Sequence, residues 1–388
     1  MKIWIKTFLV ILILIFTACN SDKPQSGLIT IDIEKVVEQS VSNLYMSEIF
    51  TDITYIQLQT GNDIMIGNHP EIYVVDNLII VNDGDNCFLF NKDDGSFIRT
   101  IGAKGRGPNE FRSSRGGFVN PVNRRIYLLG WQGTLLEYDL DGRFQREISM
   151  PGFSNSNTNP FLSDHYSFID NQIIAYIINP KGTEDKLLII YTEDSEIVNV
   201  HNNSNILPEK TYTITFEESQ FYHYRNQLFF KEIYNDTIYK VTYEQLLPHM
   251  VLHTGDYLLA YESKWGIQRD LSTCIGIHNL IETSSYFLFR FSFIYNDSFL
   301  SCFDKTTETL SITDWDSGIV DDIQNFIPLI PLKAINDKEV MGYADAWKVE
   351  QWFKDNPEKA AQLPPHLKKL ESLTESDNPV VMIARYKE

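Results

Sequence analysis

Asn77-Leu-Ile-Ile-Val-Asn-Asp-Gly84, followed by Cys87-Phe-Leu-Phe-Asn-Lys-Asp-Asp-Gly-Ser-Phe-Ile-Arg99, is the stretch that decides the fold. Each apolar run is four residues long and is bounded by Asn, Asp or Gly. Such a run reads as a strand ended by a tight turn. The unit recurs. Arg125-Ile-Tyr-Leu-Leu-Gly130 precedes Thr134-Leu-Leu-Glu-Tyr-Asp-Leu-Asp-Gly-Arg-Phe144, so Gly95 and Gly142 close equivalent turns 47 positions apart. Ile233-Tyr-Asn-Asp-Thr-Ile-Tyr239 matches Ile294-Tyr-Asn-Asp-Ser-Phe-Leu300, 61 positions further on. A repeat of roughly 40–60 residues holding four short strands is the signature of a propeller blade.

Working outward, blades are expected at 70–102, 117–150, 161–202, 214–254 and 274–316. Two strands are left over, Ile53-Thr-Tyr-Ile-Gln-Leu58 and Pro379-Val-Val-Met-Ile-Ala-Arg-Tyr386. An open sheet edge is a liability, and pairing the chain ends in one shared blade removes it. The expectation is an all-β, six-bladed β-propeller over residues 29–388. A small helical insertion interrupts the last blade at about 343–373. In it, 343–355 places Ala346, Trp347, Val349, Glu350 and Phe353 near one face. Pro357 stops that helix, and a second short helix runs over 365–373.

Residues 1–18 read as an export signal. Lys2 and Lys6 precede the apolar run Phe8-Leu-Val-Ile-Leu-Ile-Leu-Ile-Phe16, and Thr17-Ala18 lead into Cys19. The run is shorter than the roughly 20 residues that a membrane span needs. Small residues directly before a cysteine resemble the lipobox of bacterial lipoproteins, with Phe16 where Leu is usual. The resemblance implies a lipid on Cys19, with residues 19–28 as a polar tether and the membrane as partner through that anchor. Acyl chains on one residue hold a protein stably.

The charge is −19, and removing Lys2 and Lys6 with the leader brings it to −21. So acidic a chain is repelled by phosphate backbones, which excludes nucleic acid as a partner. Three cysteines remain after Cys19: Cys87, Cys274 and Cys302. They read as buried small hydrophobes, with at most one disulfide among them and its pairing open.

Ile101-Gly-Ala-Lys-Gly-Arg-Gly-Pro-Asn-Glu-Phe111 and the closing Asn378-Pro-Val-Val-Met-Ile383 resemble the six-bladed propeller lipoproteins of Bacteroides-type bacteria. These are similar in blade design to NHL-type propellers. The resemblance implies the fold and a place in the cell envelope, at the outer membrane, on either its periplasmic or its surface side. It implies no activity. Blades three to five depart from the pattern, with Thr192-Glu-Asp-Ser195, Thr242-Tyr-Glu-Gln245 and Lys305-Thr-Thr-Glu308 where an Asp-Gly turn is expected.

Antiparallel alternation puts the loop between strands two and three of each blade on the same end of the ring as the linker to the next blade. Candidate ligand-binding residues are sought there. Lys104, Arg106, Arg112 and Arg115 crowd one linker; Arg106 or Arg112 can fork onto a carboxylate or sulfate. Alternatively, Arg106 pairs with Glu110 or braces the neighbouring blade. Trp131 and Trp265 offer indole platforms for a sugar or cation, or else pack between blades. Asp236 and Asp297 recur at one blade position and suggest Ca²⁺ or an acid–base pair, or else plain turn chemistry. No metal ligand set is legible and no cofactor is implied beyond that Ca²⁺.

No Gly-x-Ser-x-Gly, His-Glu-x-x-His or P-loop occurs. His249 and His253 stand four apart, but in a strand-like context. The reading is a membrane-anchored binding module for a glycan, peptide or envelope protein. The alternatives are a propeller hydrolase or lyase, metal-dependent or not, and a structural part of a surface complex.

Overall fold

The computed structural model describes residues 28–37, 40–151, 165–213, 217–266, 271–293 and 297–387. Six sheets are arranged as blades. Blade 1 runs Glu71–Val75, Leu78–Asn82, Cys87–Asn91 and Phe97–Thr100. Blade 2 spans Ser113–Asn120 to Phe144–Ser149, blade 3 Tyr166–Ile169 to Ile197–Asn202, blade 4 Ser219–Tyr224 to Leu246–His253, and blade 5 Ile275–Glu282 to Thr309–Asp314. Blade 6 joins the chain ends: Lys333–Asn336, Glu339–Ala344 and Val380–Tyr386 are completed by Phe50–Gln57 on the outer edge. The closure expected from the two orphan strands is the observed one.

The apolar runs are continuous because each middle strand feeds two cores. Ile80 and Leu89 point toward blade 2, while Ile79, Val81 and Phe88 point toward blade 6. Likewise Ile173 and Ala175 pack on blade 2, and Ile174 and Tyr176 on blade 4. Alternation along a strand is the geometric reason. Six such inter-blade cores follow one another round the ring, the fifth and sixth drawing in Ile53 and Ile56 of the closing strand. Outer strands have a neighbour core on one face at most, and Phe97–Thr100 and Phe144–Ser149 are largely exposed.

The turn that loses its Asp-Gly signature keeps its shape. Gly95 and Gly142 have φ of +73° and +81°; in blades 3 and 5, Ser195 and Glu308 take φ of +64° and +54°. Thr192 Oγ1 there accepts the Asp194 and Glu196 amides, and Asp304 Oδ1 accepts those of Thr306 and Thr307. The hydroxyl and carboxylate acceptors supply locally what glycine supplies by conformational freedom.

Three features differ from expectation. Ile29–Asp32 adds a fifth, parallel strand to the outer edge of blade 4, and Leu44–Tyr45 pairs with Ile319–Val320. The first strand of blade 2 begins at Ser113, with a register shift before Phe118. In the insertion, Pro357 ends helix Ala346–Asp355 and also opens helix Pro357–Gln362, as proline at a first helical position can. Val349, Phe353, Leu367 and Leu370 join the core shared by blades 5 and 6. Trp347, expected on the same face as Val349 and Phe353, is 52% exposed. Cys87, Cys274 and Cys302 are all buried. Cys19 and the leader lie outside the described residues.

Candidate functional site

The linker end of the ring is built from loops of every blade. Its best-formed loop is residues 101–112. Phe111 is fully buried and its amide donates to Ala103 O, while the Gly105 amide donates to Phe111 O. Glu110 folds into the loop, accepting the Gly107 amide at 2.6 Å. A Cβ at Gly105 would lie 1.9 Å from Glu110 Oε2, and one at Gly107 2.9 Å away. The Gly-Arg-Gly-Pro-Asn-Glu-Phe motif is therefore a self-closing loop, with glycines where the carboxylate packs.

Arg106 does not pair with Glu110. Its guanidinium lies over the Trp131 ring, 4.9 Å from the centroid, so it braces the next blade. The Trp131 indole N–H donates to Gly105 O at 2.6 Å. Arg106 thus occupies one face of the indole proposed as a sugar platform. Arg112 is half-buried, with its amide on Leu129 O. Arg115 reaches Asn68 O and Asp83 O, and Lys104 is ion-paired to Asp85.

Trp265 is half-buried, bonded through its indole N–H to Pro180 O and set edge-on to Tyr261. It packs its linker against the loop 177–185 of blade 3. Asp236 accepts the amide and hydroxyl of Thr254, at 2.9 and 2.6 Å. Asp297 is exposed, and its backbone carbonyl accepts the Phe293 amide. Among the described residues, one grouping of three His, Cys, Asp or Glu side chains has ligand atoms within 4.8 Å of one another: Asp32, Glu34 and His253. It includes neither Asp236 nor Asp297, although Asp236 Oδ2 is 3.8 Å from His253 Nδ1. Asp32 and Glu34 already accept the Lys35 and Asp256 amides. His249 and His253 lie on the strand Leu246–His253, as their context suggested.

Sequence reasoning missed a buried charge cluster between blades 3 and 4. Lys264 Nζ is 2.5 Å from Glu218 Oε1, with side-chain exposures of 0% and 1%. The Tyr176 hydroxyl lies 3.3 Å from Glu218 Oε2 and 3.1 Å from Glu232 Oε1. Lys231 Nζ donates to the backbone oxygens of Glu232 and Asn235. Burial pushes the Glu232 carboxyl up to about 7 and the Lys231 ammonium down to about 8. Burial also lowers Lys264, against the pull of Glu218 and Glu232. The available signal was Lys231-Glu232 inside the apolar run Leu228-Phe-Phe-Lys-Glu-Ile-Tyr234. Charges buried there must be paired.

Trp131, singled out from sequence, is joined on this end by exposed apolar side chains that sequence reasoning missed. Met65, Trp131, Ile206, Tyr212 and Trp347 are each 37–54% exposed. They come from four different connections: the linker 58–70, the loop 130–133, the linker 203–218 and the insertion 345–379.

The family follows from a match over residues 28–385 to DUF4934, described as a domain of unknown function. The chain belongs to DUF4934. A crystal structure of a Bacteroides fragilis protein described as exported is similar to this DUF4934 chain, with a TM-score of 0.66 and 17% identity. The match covers 93% of this chain and 100% of that one. At that identity the likeness speaks for the fold. A DUF4221 member from Bacteroides vulgatus is 8% identical with a TM-score of 0.48, covering 87% and 97%. No curated protein matches the chain.

Proposed function

We propose that this DUF4934 protein is an envelope lipoprotein, anchored through Cys19, whose propeller is an interaction module engaging a partner with its linker end. The observation that carries this reading is the convergence of Met65, Trp131, Ile206, Tyr212 and Trp347 from separate connections onto one end of the ring. Aromatic and Met side chains are enriched in protein interfaces and carry most of their energy. Rings on a rigid scaffold bury a large area at small entropic cost. The partner class is an envelope protein, with a peptide or glycan as the smaller alternatives. Export is supported by the leader and by the exported neighbour of the same fold.

The test is site-specific photocrosslinking in intact cells, with the crosslinker at Tyr212 or Trp347 and a control at Val198 on the outer strand of blade 3. A discrete adduct from the first two and none from Val198 supports the reading. Equal or absent adducts overturn it. The anchor has its own test: Cys19→Ala is expected to lose fatty-acid label and leave the membrane fraction.

A further inference from the structure

Blade 3 departs from the repeat at Thr192-Glu-Asp-Ser195, and the departure supplies two carboxylates beside a cleft. This turn joins the third and fourth strands, so antiparallel alternation sets it on the end of the ring opposite the linkers. The turns between strands one and two of blades 2 and 3 lie on that end too, and carry Asn123 and Asn171. The three turns enclose a cleft of about 310 Å³, lined by Asn123, Asn171, Gln172, Thr192, Glu193 and Asp194. That volume is at the lower end for a small-ligand site, and unlike most such sites its lining side chains are all polar.

Two oxygens of the lining residues lack a donor. Asn123 Oδ1 and Gln172 Oε1 are enclosed and have no hydrogen-bond partner. Asn123 Nδ2 donates to the Tyr127 hydroxyl at 2.9 Å, so its Oδ1 is the end left over. An enclosed amide oxygen without a donor is unfavourable. The torsion that ends a glutamine side chain is soft, so Gln172 Oε1 can turn to a donor placed in the cleft. Thr192 Oγ1 accepts the Asp194 and Glu196 amides, at 3.2 and 3.1 Å, which leaves its proton to give. A wider cleft of about 420 Å³ lies by the equivalent turn of blade 1. There Gln59 Oε1 accepts the Phe97 amide, and Asp94 Oδ1 accepts the amide and hydroxyl of Ser96. Those acceptors are already met.

Charge narrows the choice of ligand. Glu193 and Asp194 repel an anion. Arg146 opposes a cation: its Nη1 is 3.1 Å from Glu193 Oε2 and 4.0 Å from Asp194 Oδ1. A cation would meet carboxylates that this guanidinium already neutralises in part. What fits is a neutral ligand that both donates and accepts hydrogen bonds.

We infer that the cleft between blades 2 and 3 binds a neutral saccharide. Sugar hydroxyls donate to the amide oxygens of Asn123 and Gln172 and, as charge-assisted bonds, to Glu193 and Asp194. They accept from the amide N–H groups of Asn171 and Gln172 and from Thr192. No aromatic ring lines the wall, so the sugar is held by its hydroxyls and not by stacking. The site is on the end of the ring away from Met65 and Trp347, and neither it nor the partner face proposed above depends on the other.

The test is saturation-transfer NMR and thermal unfolding of the full chain, kept in a detergent without a sugar headgroup. The probes are glucose, galactose, mannose and N-acetylglucosamine, with glucuronate and Ca²⁺ for the excluded charges. At least one neutral sugar is expected to receive saturation and to raise the melting temperature. Gln172→Met keeps the side-chain length and removes the amide, and is expected to weaken that sugar's affinity about tenfold. Asn171→Ala, at an exposed turn position, gives the same reading should Gln172→Met not fold. Gln57→Met, in the blade 1 cleft, is expected to change nothing. No response to any neutral sugar overturns the proposal, as does a response to glucuronate or Ca²⁺ alone. A sugar response that both cleft variants leave intact, or that Gln57→Met abolishes, overturns the assignment to this cleft.

Discussion

Two linkers on the same end of the ring are closed by opposite means. Residues 101–112 fold on themselves. Glycines make room for the Glu110 carboxylate, Phe111 anchors the loop, and Arg106 remains at the surface over Trp131. The other, residues 203–213 with 217–218, instead centres on Glu218, which meets Lys264 of the following linker, with Tyr176 between Glu218 and Glu232. The first linker folds Glu110 onto its own backbone and takes its remaining contacts from the adjacent loops of blades 1 and 2. The second draws them from two blades and two linkers, and buries their charges. The lesson is one of vulnerability: a local loop can lose a contact and keep its neighbours, whereas a buried ion pair that loses one partner leaves a charge with no water to turn to.

The sharpest test of that contrast is Lys264→Met. It strands Glu218, and the expected cost is about 3–5 kcal/mol in chemical denaturation. Adding Glu218→Leu should restore most of it, since an apolar pair can replace a buried ion pair. No recovery in the double variant would mean that the cluster is held by something other than this pair.

Next in size is a pH effect confined to the buried cluster. Glu232 titrates near 7 in the fold and near 4.5 when unfolded. A raised carboxyl stabilises the fold fully below the unfolded value, and that contribution is lost as pH rises through the folded one. Native stability should therefore carry a falling component between pH 4.5 and 7, of about 1–3 kcal/mol. Glu232→Gln should remove it, which urea melts at several pH values would show. An unchanged slope would place Glu232 outside the titrating groups.

The self-closing linker should respond less. Gly105→Ala drives a Cβ into the Glu110 carboxylate, at an expected cost of about 1–2 kcal/mol. In a Glu110→Ala background the same change should cost well under that, because the obstacle is gone. Equal costs in both backgrounds would show that the glycine serves the backbone and not the carboxylate. Smallest of all is Arg106→Ala. It should cost under about 1 kcal/mol, as an exposed cation–π contact does, while changing Trp131 fluorescence.

Much of the ring was legible because its causes are local. Gly95 and Gly142 mark turns, and the runs at 78–81 and 126–129 are apolar on both faces because each faces a neighbour blade. The closing strands at 50–57 and 380–386 could be paired by reasoning about edges alone. The binding candidates were less legible. Arg106 and Trp131 were both singled out from sequence, yet only the structure sets one over the other. Trp347 falls on the helical period of the packed face and is nonetheless exposed, because the short helix meets the core through Val349 and Phe353. Ile29–Asp32 falls inside the expected propeller range, yet nothing in sequence assigns it to the edge of blade 4, since four residues carry too little pattern.

By itself, then, the sequence determined the blade repeat, the turns, the family motif and the reading of an export signal ending at Cys19. Each depends on residues a few positions apart, where periodicity and turn chemistry act. Tertiary structure alone decided which charges meet. Lys264 and Glu218 are 46 positions apart, and Lys333 and Tyr73 meet from blades 6 and 1. Their contacts are set by where a closed ring places its innermost strands and linkers, and no local pattern records that distance.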